Sequence, residues 1–183
     1  MSRIATPATI EEAPALSQPL LKAVKKQLGV VPNLFRLISN SPAALEAHLG
    51  LAGGLDKGKL PLQTRARIAL AVAEFNGCNY CLSAHTYLGK NLAKLDDAEI
   101  TANRSGGSND PQAQAAVHFA VRVAQARGHI NADELDAVRS AGYDDMQIIE
   151  IVLHVALNTW TNYINTVAAT DIDFPLVSAR KAA

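Results

Sequence analysis

The stretch Ile68-Ala-Leu-Ala-Val-Ala-Glu74-Phe-Asn76-Gly77-Cys78-Asn-Tyr80-Cys81-Leu-Ser-Ala-His85 holds both cysteines of the chain. Ile68, Ala71, Val72 and Phe75 recur at helical spacing, so the first half predicts an amphipathic helix, opened upstream by Pro61. Asn76-Gly77 breaks it. A second helix begins near Cys78 and carries Cys78, Cys81, His85, Leu88 and Leu92 on one stripe. So short a connection makes the two helices antiparallel neighbours. Residues equidistant from the turn then face each other, which sets Glu74 toward Cys78 and Ala66 toward His85.

That spacing points to thiol redox chemistry. A Cys-x-x-Cys pair can close into a disulfide within one helical turn. At a helix start the aligned backbone dipoles favour the thiolate, which is the nucleophile. His85 follows Cys81 by one turn on the same face and can hold or pass a proton for the sulfurs. Glu74 can exchange a proton with a thiol, or simply bond free amides at the helix start. Cys78 lies nearer the turn and is expected on the solvent side, within reach of a bulky reductant. Cys81 is expected one turn inward.

Working outward, the rest of the chain also reads as helix. Residues 1–19 carry Pro7 and Pro14 without a clear period and read as an arm suited to packing on a neighbour. Leu20, Leu21, Val24 and Leu28 mark a helix closed by Gly29, and Pro32 to Ile38 a short helical turn. Ser41 caps a helix with Pro42 at its first position, expected to end near Gly50. Asp96 with Glu99 has the pattern of a capping box. Arg104-Ser-Gly-Gly-Ser-Asn109 reads as a flexible hinge loop. Further helices follow from Asp110-Pro111 to Gly128, from Asn131 to Gly142, and from about Asp145 to Ala168, before an extended tail. Nothing alternates with period two, so the fold class is all-α, with one domain over residues 20–175 and a tail over 176–183. Residues Ile151 to Tyr163 echo Ile68 to Tyr80, as a duplicated helical hairpin would.

Lys plus Arg and Asp plus Glu both number 17, so the net charge is zero and no basic patch is available for a nucleic-acid partner. No apolar run approaches the roughly 20 residues of a membrane span, and the N-terminus has no signal-peptide pattern. A cytoplasmic protein is expected. In a reducing compartment two cysteines make a poor structural staple, and a catalytic or metal role is more natural.

The pattern Glu74-x-x-Gly-Cys-x-Tyr-Cys-x-x-x-His85, preceded by Pro61-Leu-x-x-Arg65-x-x-Ile-Ala-Leu70, resembles the alkylhydroperoxidase D / carboxymuconolactone decarboxylase family, and within it the peroxidase-related branch. Glu150 to Tyr163 is similar to that branch as well, and the resemblance spans most of residues 20–175. It implies a multihelical bundle that assembles into trimers or hexamers. It also implies a peroxidase acting on hydrogen peroxide or organic hydroperoxides. Cys81 would attack the peroxide, Cys78 would resolve the sulfenic acid as a disulfide, and His85 would belong to a proton relay. Tyr80 stands where the best-studied members have a histidine. No cofactor is implied, and the electrons would come from an external dithiol reductant. One departure is plain: the family's relay glutamate, twelve residues before the first cysteine, is Ala66 here. The relay would have to be shorter, or run through Glu74 or water.

Other readings of the same residues stand beside this one. The pair could serve a dithiol–disulfide oxidoreductase with weak peroxidase activity. Cys78, Cys81 and His85 could bind a metal with His118, His129 or His154 as a fourth ligand, in a metal- or redox-sensing helical module. Three ligands spread over that length span roughly 10.5 Å of helix axis, which is hard to close around one ion. Glu150, His154, Asn158 and Asn162 form a polar stripe on an otherwise apolar helix. Such a stripe must find partners, at a subunit interface, in an internal network, or beside Cys81.

Overall fold

The computed structural model describes residues 2–180, and among them every regular element is a helix. These are α1 (Gln18–Leu28), α2 (Asn33–Ile38), α3 (Pro42–Leu55), α4 (Leu62–Phe75), α5 (Asn79–Asn91), α6 (Asp97–Arg104), α7 (Pro111–Ala126), α8 (Ala132–Ser140) and α9 (Asp145–Ala168).

The sequence supplies the punctuation. Ser41, Asp96, Asp110, Asn131 and Asp144 each accept a first-turn backbone N–H through their side chains. Gly29 ends α1 at φ +80°, a left-handed position that a side chain would strain. Helix α3 runs on past Gly50 to Leu55. No atom lies within 4 Å of where a Cβ would stand on Gly50, Gly53 or Gly54. Their cost is only about 1 kcal/mol each, and packing of α3 on α9 outweighs it.

Helix α4 is the hub. Every residue from Ile68 to Ala73 is buried, so the helix is apolar all round rather than on one face. Its small residues, Ala69, Ala71 and Ala73, let neighbours approach on the sides that the large residues leave. Helices α5, α6, α7 and α9 pack around it. Ile68 and Val72 join Phe119, Val123, Ile148 and Ile151 in the main core. Leu70 faces the other way, toward Ala93, Leu95 and Ile100. Phe75, expected on the apolar face, is exposed, as are Leu88 on α5 and Leu92 at its C-cap.

Asp96 caps α6, but Glu99 does not reciprocate as in a capping box. It turns inward and organises the 105–109 loop. Its carboxylate accepts from Arg67 Nε, Asn103 Nδ2, Ser108 Oγ and Asn109 N–H at 2.5–2.9 Å. The segment read as a hinge is therefore tied down. Burial alone would raise the Glu99 pKa, yet the bonds from Ser108, Asn103, Asn109 and Arg67 outweigh it and pull it down to about 2.

The arm folds onto its own chain: Arg36 Nη1 donates to Ala8 O at 2.9 Å and Asn40 Nδ2 to Ala5 O at 2.7 Å. Helix α9 runs unbroken where the echoed segment suggested a hairpin. The tail leaves α9 and lies extended across α5, with Ile172, Phe174, Val177 and Ala179 turned toward the cysteines. Among the described residues no helix is long and apolar enough to cross a membrane.

Removing the Glu99 carboxylate strands the Arg67 guanidinium, whose side chain is mostly buried. Glu99→Ala should cost about 3 kcal/mol in denaturant unfolding and open the 105–109 loop to proteolysis. The wild-type contribution should be complete above pH 4.5, the carboxyl's ordinary value, and be lost as pH falls toward about 2. Unfolding curves for the two proteins should converge over that window.

Candidate active site

The α4–α5 turn is built from both sides. Gly77 adopts φ +68° and its N–H donates to Glu74 O at 3.0 Å. Cys78 N–H reaches back to Ala73 O at 3.0 Å. Asn76 Nδ2 donates to Asn162 Oδ1 at 2.9 Å, pinning the turn to α9. Cys78 is thereby set as the N-cap of α5.

Cys78 and Cys81 are joined as a disulfide, with Cα atoms 5.3 Å apart. Each sulfur has its own donor. The Cys81 backbone N–H points at Cys78 Sγ at 3.2 Å, as in any N-cap. Asn165 Nδ2 on α9 donates to Cys81 Sγ at 3.4 Å, and the Thr161 carbonyl oxygen lies 3.8 Å from the same sulfur. Cys78 is 2 % exposed and Cys81 3 %. The expectation of a solvent-facing Cys78 is therefore corrected: the tail residues Ile172, Phe174, Val177 and Ala179 pack over the cluster that contains both sulfurs.

His85 sits one turn beyond Cys81, half-buried. Burial pushes its pKa down to about 4, against a hydrogen bond with the Asn158 side chain that works the other way. The ring is neutral at physiological pH, able to accept a proton or to donate its own N–H.

Tyr80 is buried among the same residues, but its hydroxyl turns to the other side, accepting from Leu34 N–H at 3.0 Å. Its ring meets Phe174 of the tail edge-on at 5.9 Å. Burial raises its pKa far above the ordinary tyrosine value, with the Leu34 bond opposing and Asp173 reinforcing, so the phenol stays protonated.

Glu74 lies in the tail anchor. Arg104 Nε donates to its Oε2 and the Arg180 N–H to its Oε1 at 2.6 Å. Hairpin symmetry alone would turn this carboxylate toward Cys78; instead α6 offers Arg104 at the end of α4, which claims the charge. Ala66 packs with Leu70, Ala93, Leu95 and Ile100 and carries no proton-bearing group.

The polar stripe divides its labour. Glu150 accepts from the backbone N–H groups of Lys59 and Leu60 at 2.9–3.0 Å, and a Cβ on Gly58 would stand 2.7 Å from its carboxylate. Asn158 reaches His85 and Asn162 holds the turn. Burial pushes the His154 pKa down to about 4. Thr161 and Asn165 lie beside the stripe, three and seven residues past Asn158; the four-residue spacing leads from Asn162 to Thr166 and so passes them by. Among the described residues no group of three or more His, Cys, Asp or Glu side chains converges as a metal site.

The carboxymuconolactone decarboxylase family model matches residues 42–126, which includes the turn, both cysteines and His85. No curated protein matches the chain. Among solved structures, an alkylhydroperoxidase-core, peroxidase-related protein from Ralstonia eutropha JMP134 superposes with a TM-score of 0.84 at 22 % identity, covering 94 % of this chain and 92 % of that one. A peroxidase-related protein from Silicibacter sp. TM1040 gives 0.79 at 23 % identity over 93 % and 91 %. The debrominase Bmp8, in a cysteine-to-alanine variant complexed with 2,3,4-tribromopyrrole, gives 0.78 at 22 % identity over 94 % and 93 %. Residues 42–126 thus carry the pattern of the carboxymuconolactone decarboxylase family, within a chain that has the alkylhydroperoxidase D-like fold.

Proposed function

We propose that the protein is a thiol-dependent peroxidase that reduces hydrogen peroxide or organic hydroperoxides through Cys78 and Cys81. The observation that carries this reading is the disulfide-closing pair at the start of α5, with a separate hydrogen-bond donor for each sulfur and a neutral histidine one turn on. Reduced Cys81 loses its proton to His85, directly or through water, and the thiolate attacks the peroxide. The S–O bond forms as the O–O bond breaks, and the departing alkoxide takes the proton from His85. This leaves a Cys81 sulfenic acid and an alcohol. The Cys78 thiol then displaces hydroxide, which leaves as water with the thiol proton, and the disulfide closes. An external dithiol returns the two electrons. Glu74, held by Arg104, positions the tail rather than moving protons, and Tyr80 serves as a buried hydrogen-bonding wall.

One observation favours the second reading, a dithiol–disulfide oxidoreductase with weak peroxide turnover: Ala66 supplies no relay carboxylate. The likeness to a debrominase brings halogenated aromatics into the same test, since one dithiol carries the two electrons that replace bromide by hydrogen.

A homo-oligomer belongs to the proposal. Met146, Ile149, Val152, Leu153, Trp160, Tyr163 and Val167 form an exposed apolar stripe along α9, suited to covering by a second copy. Sedimentation at micromolar concentration should show an assembly that Tyr163→Glu weakens; a compact wild-type monomer would refute it.

Cys81→Ser should abolish peroxide consumption. Cys78→Ser should complete one turnover and leave a sulfenic acid that a dimedone-type probe traps on Cys81. A trapped sulfenic acid on Cys78 in the Cys81→Ser protein, with consumption intact, would reverse the roles. His85→Ala should slow the peroxide step about a hundredfold. Since the folded His85 titrates at about 4, activity should not break near the ordinary histidine value as pH is lowered. The same depressed pKa costs stability as pH falls from 6.5 toward 4, because only the unfolded chain takes up that proton.

A further inference from the structure

Asn165 sits in the last turn of α9, 3 % exposed, on a helix that packs against α5. Its Nδ2 donates to Cys81 Sγ at 3.4 Å. Its Oδ1 is buried with no hydrogen-bond partner among the described residues. A buried amide with an orphaned acceptor is costly, and an apolar residue of the same shape would pack there without that loss. Stability alone therefore does not account for a polar side chain at this position. Its donor faces the one reactive atom in reach.

We propose that Asn165 is a catalytic residue whose Nδ2–H group stabilises the negative charge that the Cys81 sulfur carries as a thiolate. The inference rests on the peroxidase reading only in taking Cys81 as the attacking sulfur. The site then holds a partner for each protonation state. The Asn165 amide serves the thiolate, and the Thr161 carbonyl, 3.8 Å from the sulfur, can accept from the thiol S–H. Cys78 needs no such help, because the α5 N-terminus already gives it the Cys81 N–H.

The surroundings leave this donor unrivalled by charge. From Ile151 to Ala168, α9 has no Asp, Glu, Lys or Arg; its titratable groups are His154 and Tyr163. On α5 itself the neighbours are Cys78, Tyr80 and His85, the last neutral. The α4 carboxylate, Glu74, is paired with Arg104, and from the tail Asp173 accepts from Asn33 N–H at 2.8 Å and approaches Tyr80. Among the described residues no cation faces Cys81 from these elements, so a neutral amide dipole is the available source of stabilisation from α9.

The test is a titration of Cys81 as the sole thiol, in Cys78→Ser protein, followed by ultraviolet thiolate absorbance and by the pH dependence of alkylation. Asn165→Leu keeps the branched shape, with more bulk, and removes the donor; Asn165→Asp keeps the shape and adds a charge. With Leu the apparent thiol pKa should rise by about one unit and alkylation at neutral pH should slow about tenfold. With Asp the rise should be larger. A thiol pKa unchanged in both variants would overturn the inference. A third readout needs no change at position 165: the Asn165 side-chain amide resonances should shift with the Cys81 titration, and their indifference would also overturn it. None of these measurements uses peroxide. If Cys81→Ser retained full peroxide consumption, the functional reading would fail whatever the titration showed.

Discussion

A row of uncharged amides along α9 fixes the α4–α5 hairpin, and the chemistry of the site depends on it. Asn162 takes the Asn76 side chain and so anchors the turn; Asn158 orients His85; Asn165 reaches Cys81. Each amide is buried among apolar neighbours, where a polar group must be bonded or cost free energy. That requirement makes the register of α5 against α9 specific. A one-residue slip would rotate the three partners away together. The hub helix α4, buried on all sides, holds the hairpin's other arm in the core and leaves it little freedom to adjust.

The electrostatics follow from the same burial. Carboxylates near the hairpin are committed elsewhere: Glu74 to Arg104 and the tail, Glu99 to Arg67 and the 105–109 loop, Glu150 to the amides before α4. What remains beside the sulfurs is a neutral histidine, a protonated tyrosine and amide dipoles. Such a setting holds a thiolate by hydrogen bonds rather than by ion pairing. The tail completes the enclosure. Phe174 and Val177 pack over the cluster that contains both sulfurs.

Much of this was legible in the residues themselves. Caps and breakers at Ser41, Asn76-Gly77, Asp110-Pro111, Asn131 and Asp144 mark helix boundaries through local bonds, which sequence spells out directly. The cysteine pair and His85 were visible because one helix carries all of them. What spacing could not give was partnership between distant segments. Glu74 looked free to serve Cys78 until Arg104, from α6, took it. Cys78 looked exposed because nothing local says that residues 172–179 return to cover it. Glu99 fits a capping pattern, yet tertiary contacts to Arg67 and Ser108 outbid its own helix start. Asn165 falls off the four-residue spacing of the stripe, and its meaning needed the position of Cys81.

The central claim is that reduced Cys78 and Cys81 together deliver two electrons to a peroxide bond. Its most direct test mixes the fully reduced protein with one equivalent of an organic hydroperoxide, without any donor, and reads intact mass and product together. The account predicts loss of the two thiol hydrogens, an internal disulfide between Cys78 and Cys81, and one equivalent of the corresponding alcohol. Unreacted thiols beside unconsumed hydroperoxide, or a sulfinic acid on Cys81 with Cys78 still free, would contradict it.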